Sequence, residues 1–218
     1  VKVKNGSGIR ITNSSGTRLT GIKVGPNGVS SGGGVEVKRW CFDVKVTDSN
    51  VSAKDRPGII FDNTSSINVT STTVSAVDGS GLKAANVEGL VVMESFFDIY
   101  SENETANFTG VDIFKSNNTR VQNTTVKAKN ATGMKNIRGN NTYVVDSFFD
   151  VTYEVAGGGP AISIFESFDI RLEAVDMLVR NLTGINITNS SRVNLGGITI
   201  DGTGSTDPNG PCRDRSRK

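Results

Sequence analysis

The chain is written as a repeat. A phrase of the form Gly-apolar-x-apolar returns as Gly8-Ile9-Arg10-Ile11, Gly58-Ile59-Ile60-Phe61, Gly81-Leu82-Lys83-Ala84, Gly110-Val111-Asp112-Ile113, Gly133-Met134-Lys135-Asn136 and Gly184-Ile185-Asn186-Ile187. Weaker copies stand at Gly34-Val35-Glu36-Val37 and Pro160-Ala161-Ile162-Ser163-Ile164, which makes eight units spaced 23 to 29 residues apart. A unit this short buries an apolar face only by stacking on copies of itself. Such units share one core; they are not separate domains.

Within a unit the alternation is that of short strands. In the last one, Ile185 and Ile187 alternate with polar residues, Asn189-Ser190-Ser191 turns the chain, Val193 and Leu195 alternate again, Gly196-Gly197 turns it, and Ile198 and Ile200 form a third strand. Three strands and two turns describe one rung of a three-sided coil. Turns at Asn13-Ser14-Ser15, Asn63-Thr64-Ser65-Ser66 and Ser116-Asn117-Asn118 recur at the same phase, with Asn suited to left-handed backbone angles. No stretch carries helical apolar spacing. The pattern predicts an all-β fold, a right-handed parallel β-helix of about eight rungs and on the order of 40 Å long, with no capping helix. The solenoid would take residues 1–204 and leave a basic tail, 205–218.

The run from Gly184 to Leu195 resembles the repeat of right-handed parallel β-helix proteins, the pectate-lyase-like superfamily, and the resemblance extends over roughly residues 8 to 203. It implies the architecture; the superfamily holds polysaccharide lyases and hydrolases, phage tailspikes, adhesins and structural surface proteins, so fold does not choose the activity.

Side-chain chemistry narrows the choice. With no histidine in the chain, imidazole bases and the histidine motifs of the pectinase branch are excluded. Asp98 and Asp150 belong to a duplicated phrase, Ser95-Phe96-Phe97-Asp98 and Ser147-Phe148-Phe149-Asp150. They would stand two rungs, about 10 Å, apart, at the upper edge for an inverting carboxylate pair. The plainer reading makes them solvent-facing, with one Phe of each pair inside the coil. Asp43, Asp48, Asp55 and Asp62 follow no calcium-loop spacing. The glycine runs Gly32-Gly33-Gly34 and Gly157-Gly158-Gly159 precede neither a helix nor a Lys-Ser/Thr pair, so they do not form a phosphate loop. These readings predict no catalytic residue, no metal and no cofactor: a chain that is not an enzyme.

Fourteen of twenty-one asparagines begin an Asn-x-Ser/Thr sequon. Asn-rich turns followed by strand threonines generate some of these, but Asn50, Asn103, Asn107, Asn123, Asn130 and Asn181 fall in varied contexts. The expected glycan carriers are Asn50, Asn63, Asn68, Asn103, Asn107, Asn123, Asn130, Asn140, Asn181 and Asn186, which predicts an extracellular or cell-surface protein whose leader, if any, preceded Val1. Both ends read as uncapped strand edges open to another copy. Lys2, Lys4 and Arg10 make the front basic, Asp201 and Asp207 make the rear acidic, and Arg213 and Arg215 return positive charge to the tail. Too few basic residues cluster, without interleaved aromatics, for a nucleic-acid surface, and no apolar run is long enough to span a membrane. Cys41 and Cys212 lie about six rungs apart within one chain, which favours a disulfide between stacked subunits. The resulting expectation is an extracellular structural subunit, polymerised head to tail by strand-edge addition. The alternatives are a carbohydrate-binding tailspike or adhesin module and a polysaccharide lyase or hydrolase.

Overall fold

The computed structural model describes residues 1–3, 6–26, 32–102, 108–154 and 158–202. Lys4, Asn5, Asn103, Asn107, Asp207, Cys212, Arg213 and Arg215 lie outside the described residues, as does the predicted tail. The chain is a right-handed parallel β-helix of eight rungs, each with three faces. On the first face one inward column runs Ile9, Val35, Ile59, Leu82, Val111, Met134, Ile162, Ile185. The second face stacks Leu19, Val46, Val69, Val92, Val121, Val144, Leu172 and Leu195. The third stacks Val24, Val51, Val74, Phe97, Val126, Phe149, Met177 and Ile200. Among the described residues there is no helix, and the one antiparallel pairing is the short strand Gly32–Gly33 against Ala53 and Lys54.

Glycine opens each rung for a steric reason. A Cβ on Gly81 would stand 2.6 Å from the Gly110 carbonyl oxygen, one on Gly110 2.5 Å from that of Gly133, and one on Gly133 2.7 Å from that of Ala161. The backbone of one rung rests on the next with no space for a side chain. Ala161, fully buried, fills the equivalent place once.

Corners are made by single residues in the left-handed region. Between the first and second faces these include Asn13, Asn63, Asn86 and Asn189; between the second and third, Gly21, Asp48, Ser71, Asn123, Asp146 and Gly197; between the third face and the next rung, Asp55, Asp78, Asn130 and Asn181. Asn, Asp and Gly adopt this conformation most readily. Inside the corner from the second face to the third, a Ser or Thr hydroxyl donates to the carbonyl two residues back: Ser49 to Thr47, Ser95 to Met93 and Ser147 to Val145. The same oxygens accept backbone N–H groups from the rung before, those of Ile22, Thr72 and Thr124. Buried corner backbone is thus satisfied by a hydroxyl spine.

A corner asparagine followed by these hydroxyl residues spells a sequon. Asn123, Asn130 and Asn181, expected to stand in varied contexts, are all corner residues. Asn130 is 1% exposed; its amide donates to the Ser101 carbonyl and its oxygen accepts the Glu154 N–H. A glycan there would break both bonds. Asn63, Asn68, Asn123, Asn140 and Asn181 stand at corners or outward places, while Asn50 and Asn186 are exposed on strands.

Candidate functional site

Inward side chains fill the lumen, so chemistry is confined to the outward columns, corners and ends. The third face places Asp98 and Asp150 in one column as the duplicated phrase requires, but Lys127 stands between them. A cation in the middle of the pair occupies the place a sugar ring would need. Phe97 and Phe149 are buried and Phe96 and Phe148 face outward, with the Lys127 ammonium 5.8 Å from the Phe96 ring centre.

The second face carries a stack in which Arg120 and Arg171 lie 5.1 and 5.3 Å from the Tyr143 ring centre. Tyr143 donates its hydroxyl to Glu173 at 2.7 Å, and Arg171 pairs with the same carboxylate. Outward side chains in a parallel ladder present their ring faces to the rungs above and below. Both faces of Tyr143 are therefore taken, and it offers solvent only an edge.

On the first face the outward residue two places after the glycine forms a column in which Lys83, Asp112 and Lys135 stand in three successive rungs. Burial raises the Asp112 carboxyl above its ordinary value, against the opposing pull of Lys135 and then Lys83. Among the described residues its carboxylate makes no ion pair or hydrogen bond. A half-buried, unpaired carboxyl with a raised pKa beside two ammonium groups is suited to proton transfer. All three residues hold the same place in the repeated phrase, and lining up Gly81, Gly110 and Gly133 is the signal that would have found them.

The same column carries a carboxylate of opposite character two rungs before Lys83. Burial alone would raise the Glu36 carboxyl, but bonds from Lys38, Ser7 and Arg10 at 2.6, 2.9 and 2.8 Å outweigh it and bring the pKa down to about 2. Beyond Lys38 the corner contains one extra residue, and the ladder register shifts between Lys38 and Cys41. Arg39 and Trp40 both take positive φ, 63° and 59°, and Trp40 is 80% exposed. This bulge frees the one tryptophan from the ladder, leaving ring surface open. No group of residues able to hold a metal occurs among the described residues.

Arg10 is engaged by Glu36. Near the rear, Glu166 pairs with Arg138, Glu173 with Arg171 and Asp169 with Arg192. Lys2 lies in the first short strand, Lys2–Val3, and Asp201 ends the last, Thr199–Asp201. Cys41 is a free, buried thiol directed at the Lys38 carbonyl 3.2 Å away. A disulfide to another chain would first require this corner to open.

No protein-family model matches the sequence, and no curated protein matches it. The fold is similar to the A-module of the mannuronan C-5 epimerase AlgE4 of Azotobacter vinelandii, at 10% identity and a TM-score of 0.40, over 93% of this chain and 78% of that one. It is also similar to the enzymatically active domain of bacteriophage CBA120 tailspike protein 2, at 10% identity and a TM-score of 0.43, over 88% of this chain but 38% of that one. The expectation that the chain is not an enzyme is withdrawn. One of these structures is named as a module of an epimerase and the other as an enzymatically active domain, and the lack of histidine leaves acid–base chemistry by carboxyl groups open.

Proposed function

We propose that the chain is a polysaccharide-engaging β-helix module whose first face meets an acidic sugar polymer. The Lys83–Asp112–Lys135 column carries this reading: two cations about 10 Å apart along the rod suit anionic groups repeated along a chain, and the carboxyl between them is equipped to give or take a proton. An open outer face accepts an extended polymer crossing it, and Trp40 adds an unstacked ring of the kind that packs on sugar.

The test is binding of the 218-residue chain to alginate and polygalacturonate against neutral dextran, by affinity electrophoresis and calorimetry at two salt concentrations. Acidic polymers should bind and dextran should not, with salt weakening the complex. Lys83→Ala combined with Lys135→Ala should lower affinity roughly tenfold, the loss of two partly exposed charge contacts. Any turnover of the bound polymer should disappear in Asp112→Asn while binding persists. Equal binding of dextran, or none of either acidic polymer, overturns the reading.

A further inference from the structure

We propose that the corner carrying Arg39, Trp40 and Phe42 is a second subsite for an acidic polysaccharide, stacking a sugar ring on Trp40 and taking its anionic group on Arg39. The inference rests on the reading that the chain engages such a polymer, and adds a site apart from the lysine column.

One added residue makes this corner. Between the last outward position of the first face and the first position of the second, seven rungs use two residues, as in Asn13-Ser14, Asn63-Thr64 and Arg138-Gly139. The second rung uses three, Arg39-Trp40-Cys41. Each of the seven turns there on one left-handed residue, whereas Arg39 and Trp40 are left-handed in succession. A tryptophan in that conformation is an outlier that costs stability and persists only where its surroundings fix it. They do so here. The Arg39 carbonyl accepts the Asn13 N–H at 3.0 Å, the Phe42 N–H donates to the Ser14 carbonyl at 3.2 Å, and Cys41 is buried between them.

What the bulge gains is aromatic surface in water. Trp40 is 80% exposed and Phe42 56%. Phe42 falls between Ser15 and Ser65 in the adjoining rungs, whose short side chains leave its ring faces uncovered, the reverse of Tyr143 between two arginines. Folding needs no tryptophan at this place, since seven rungs cross the corner without the added residue. An outlier that the fold does not require points to a ligand.

Charge selects the occupant. In the first three rungs, this corner and the two faces that meet at it carry Arg10, Arg18, Lys38, Arg39 and Lys45 against Glu36, Asp43 and Asp62. Glu36 and Asp43 are met by lysine or arginine, and Asp62 accepts the Asn63 amide. Arg39 makes no ion pair among the described residues. An unpaired guanidinium beside an open indole suits a ring that is apolar on its faces and anionic at its edge, which describes an acidic sugar and not a neutral one. Trp40 lies two rungs and one corner from Lys83, on the order of 15 Å, so a short oligomer reaches one site and a longer one reaches both.

Trp40 is the chain's one tryptophan, so its emission reports this corner alone. The test titrates the full chain with oligogalacturonates from the dimer to the octamer, read by emission and by calorimetry. The octamer should shift Trp40 emission to shorter wavelength and bind about tenfold or more tighter than the dimer, the gain from joining two sites. Trp40→Ala and Arg39→Ala should each remove that gain, and Trp40→Phe should keep most of it. Deleting Trp40 restores a two-residue corner. That variant should lose the same gain with a denaturant midpoint no lower than wild type, a result that a purely packing role for the ring would not give. If the deletion fails to fold, Trp40→Ala against Trp40→Phe carries the comparison. Octamer binding that leaves both the emission and the Trp40→Ala affinity unchanged overturns the inference and leaves the first-face reading standing. An emission shift that persists at wild-type affinity in Lys83→Ala combined with Lys135→Ala upholds this subsite and overturns that reading. No octamer binding overturns both.

Discussion

Replacing Glu36 by glutamine isolates the anchor of the front rungs. The carboxylate is buried on the outer side of the first face and receives Lys38, Arg10 and Ser7. Its pKa falls from 4.5 to about 2 in the folded chain, and at about 1.4 kcal/mol per pH unit the gap is worth about 3 kcal/mol. Because the folded value lies below the unfolded one, this stability is complete above pH 4.5, declines as acid protonates the unfolded chain first, and is gone once the pH falls through the folded value. Glu36→Gln should therefore unfold more easily than wild type by about 3 kcal/mol at pH 7, about 1 kcal/mol at pH 3 and almost nothing at pH 2. Urea titrations followed by far-ultraviolet circular dichroism at each pH measure the difference. Trp40 emission does not serve, since that ring is already in water in the native state. A difference between the two proteins that stays constant from pH 7 to pH 3 would refute the reasoning, for the loss would then come from packing and not from charge.

Two other perturbations follow from the ladder. Gly110→Ala should destabilise the chain by about 2 kcal/mol or more, since the new methyl meets the Gly133 carbonyl and the Val126 side chain in a packed interior; a thermal midpoint within a degree of wild type would contradict the steric account. In a Cys212→Ser background the Cys41 thiol should resist a disulfide reagent until denaturant is added, because burial denies the reagent access; stoichiometric labelling within seconds under native conditions would show the corner to be open.

The rungs were legible because folding constrains inward residues everywhere alike. Ile, Val, Leu and Phe must recur at the same phase, and glycine must recur where backbone rests on backbone, so repetition at Gly58, Gly81, Gly110 and Gly133 reports geometry directly. Corners were less legible. Asn63 and Asn189 advertise a left-handed turn, but Lys115, Arg138 and Glu166 hold the equivalent place with positive φ, and nothing in their chemistry announces it. That ambiguity also misled the reading of sequons: Asn130 looks like a glycan acceptor in sequence and is a buried hydrogen-bonding corner in the fold. Outward columns were hardest, because a residue there acquires meaning from chain neighbours some two dozen positions away. Register places Lys127 between Asp98 and Asp150, consistent with the plainer, solvent-facing reading of the duplicated phrase, and sets lysines on both sides of Asp112, which alternation within one strand does not announce.

Glu36 and Asp112 show how far one column of one face can diverge. Both are acidic, both follow the same glycine-apolar pair, and both lose water to burial. The difference is who else reaches them. Glu36 is met by two cations and a hydroxyl at hydrogen-bonding distance, so its charge is stabilised and it stays ionised throughout any ordinary pH range. Asp112 has cations only at the range of a Coulomb field, which softens the desolvation without cancelling it. Groups whose surroundings drive their pKa values apart divide naturally into fixed charges and proton carriers. On that division Glu36 belongs to the scaffold, and Asp112 is the carboxyl whose protonation state a bound polyanion would change.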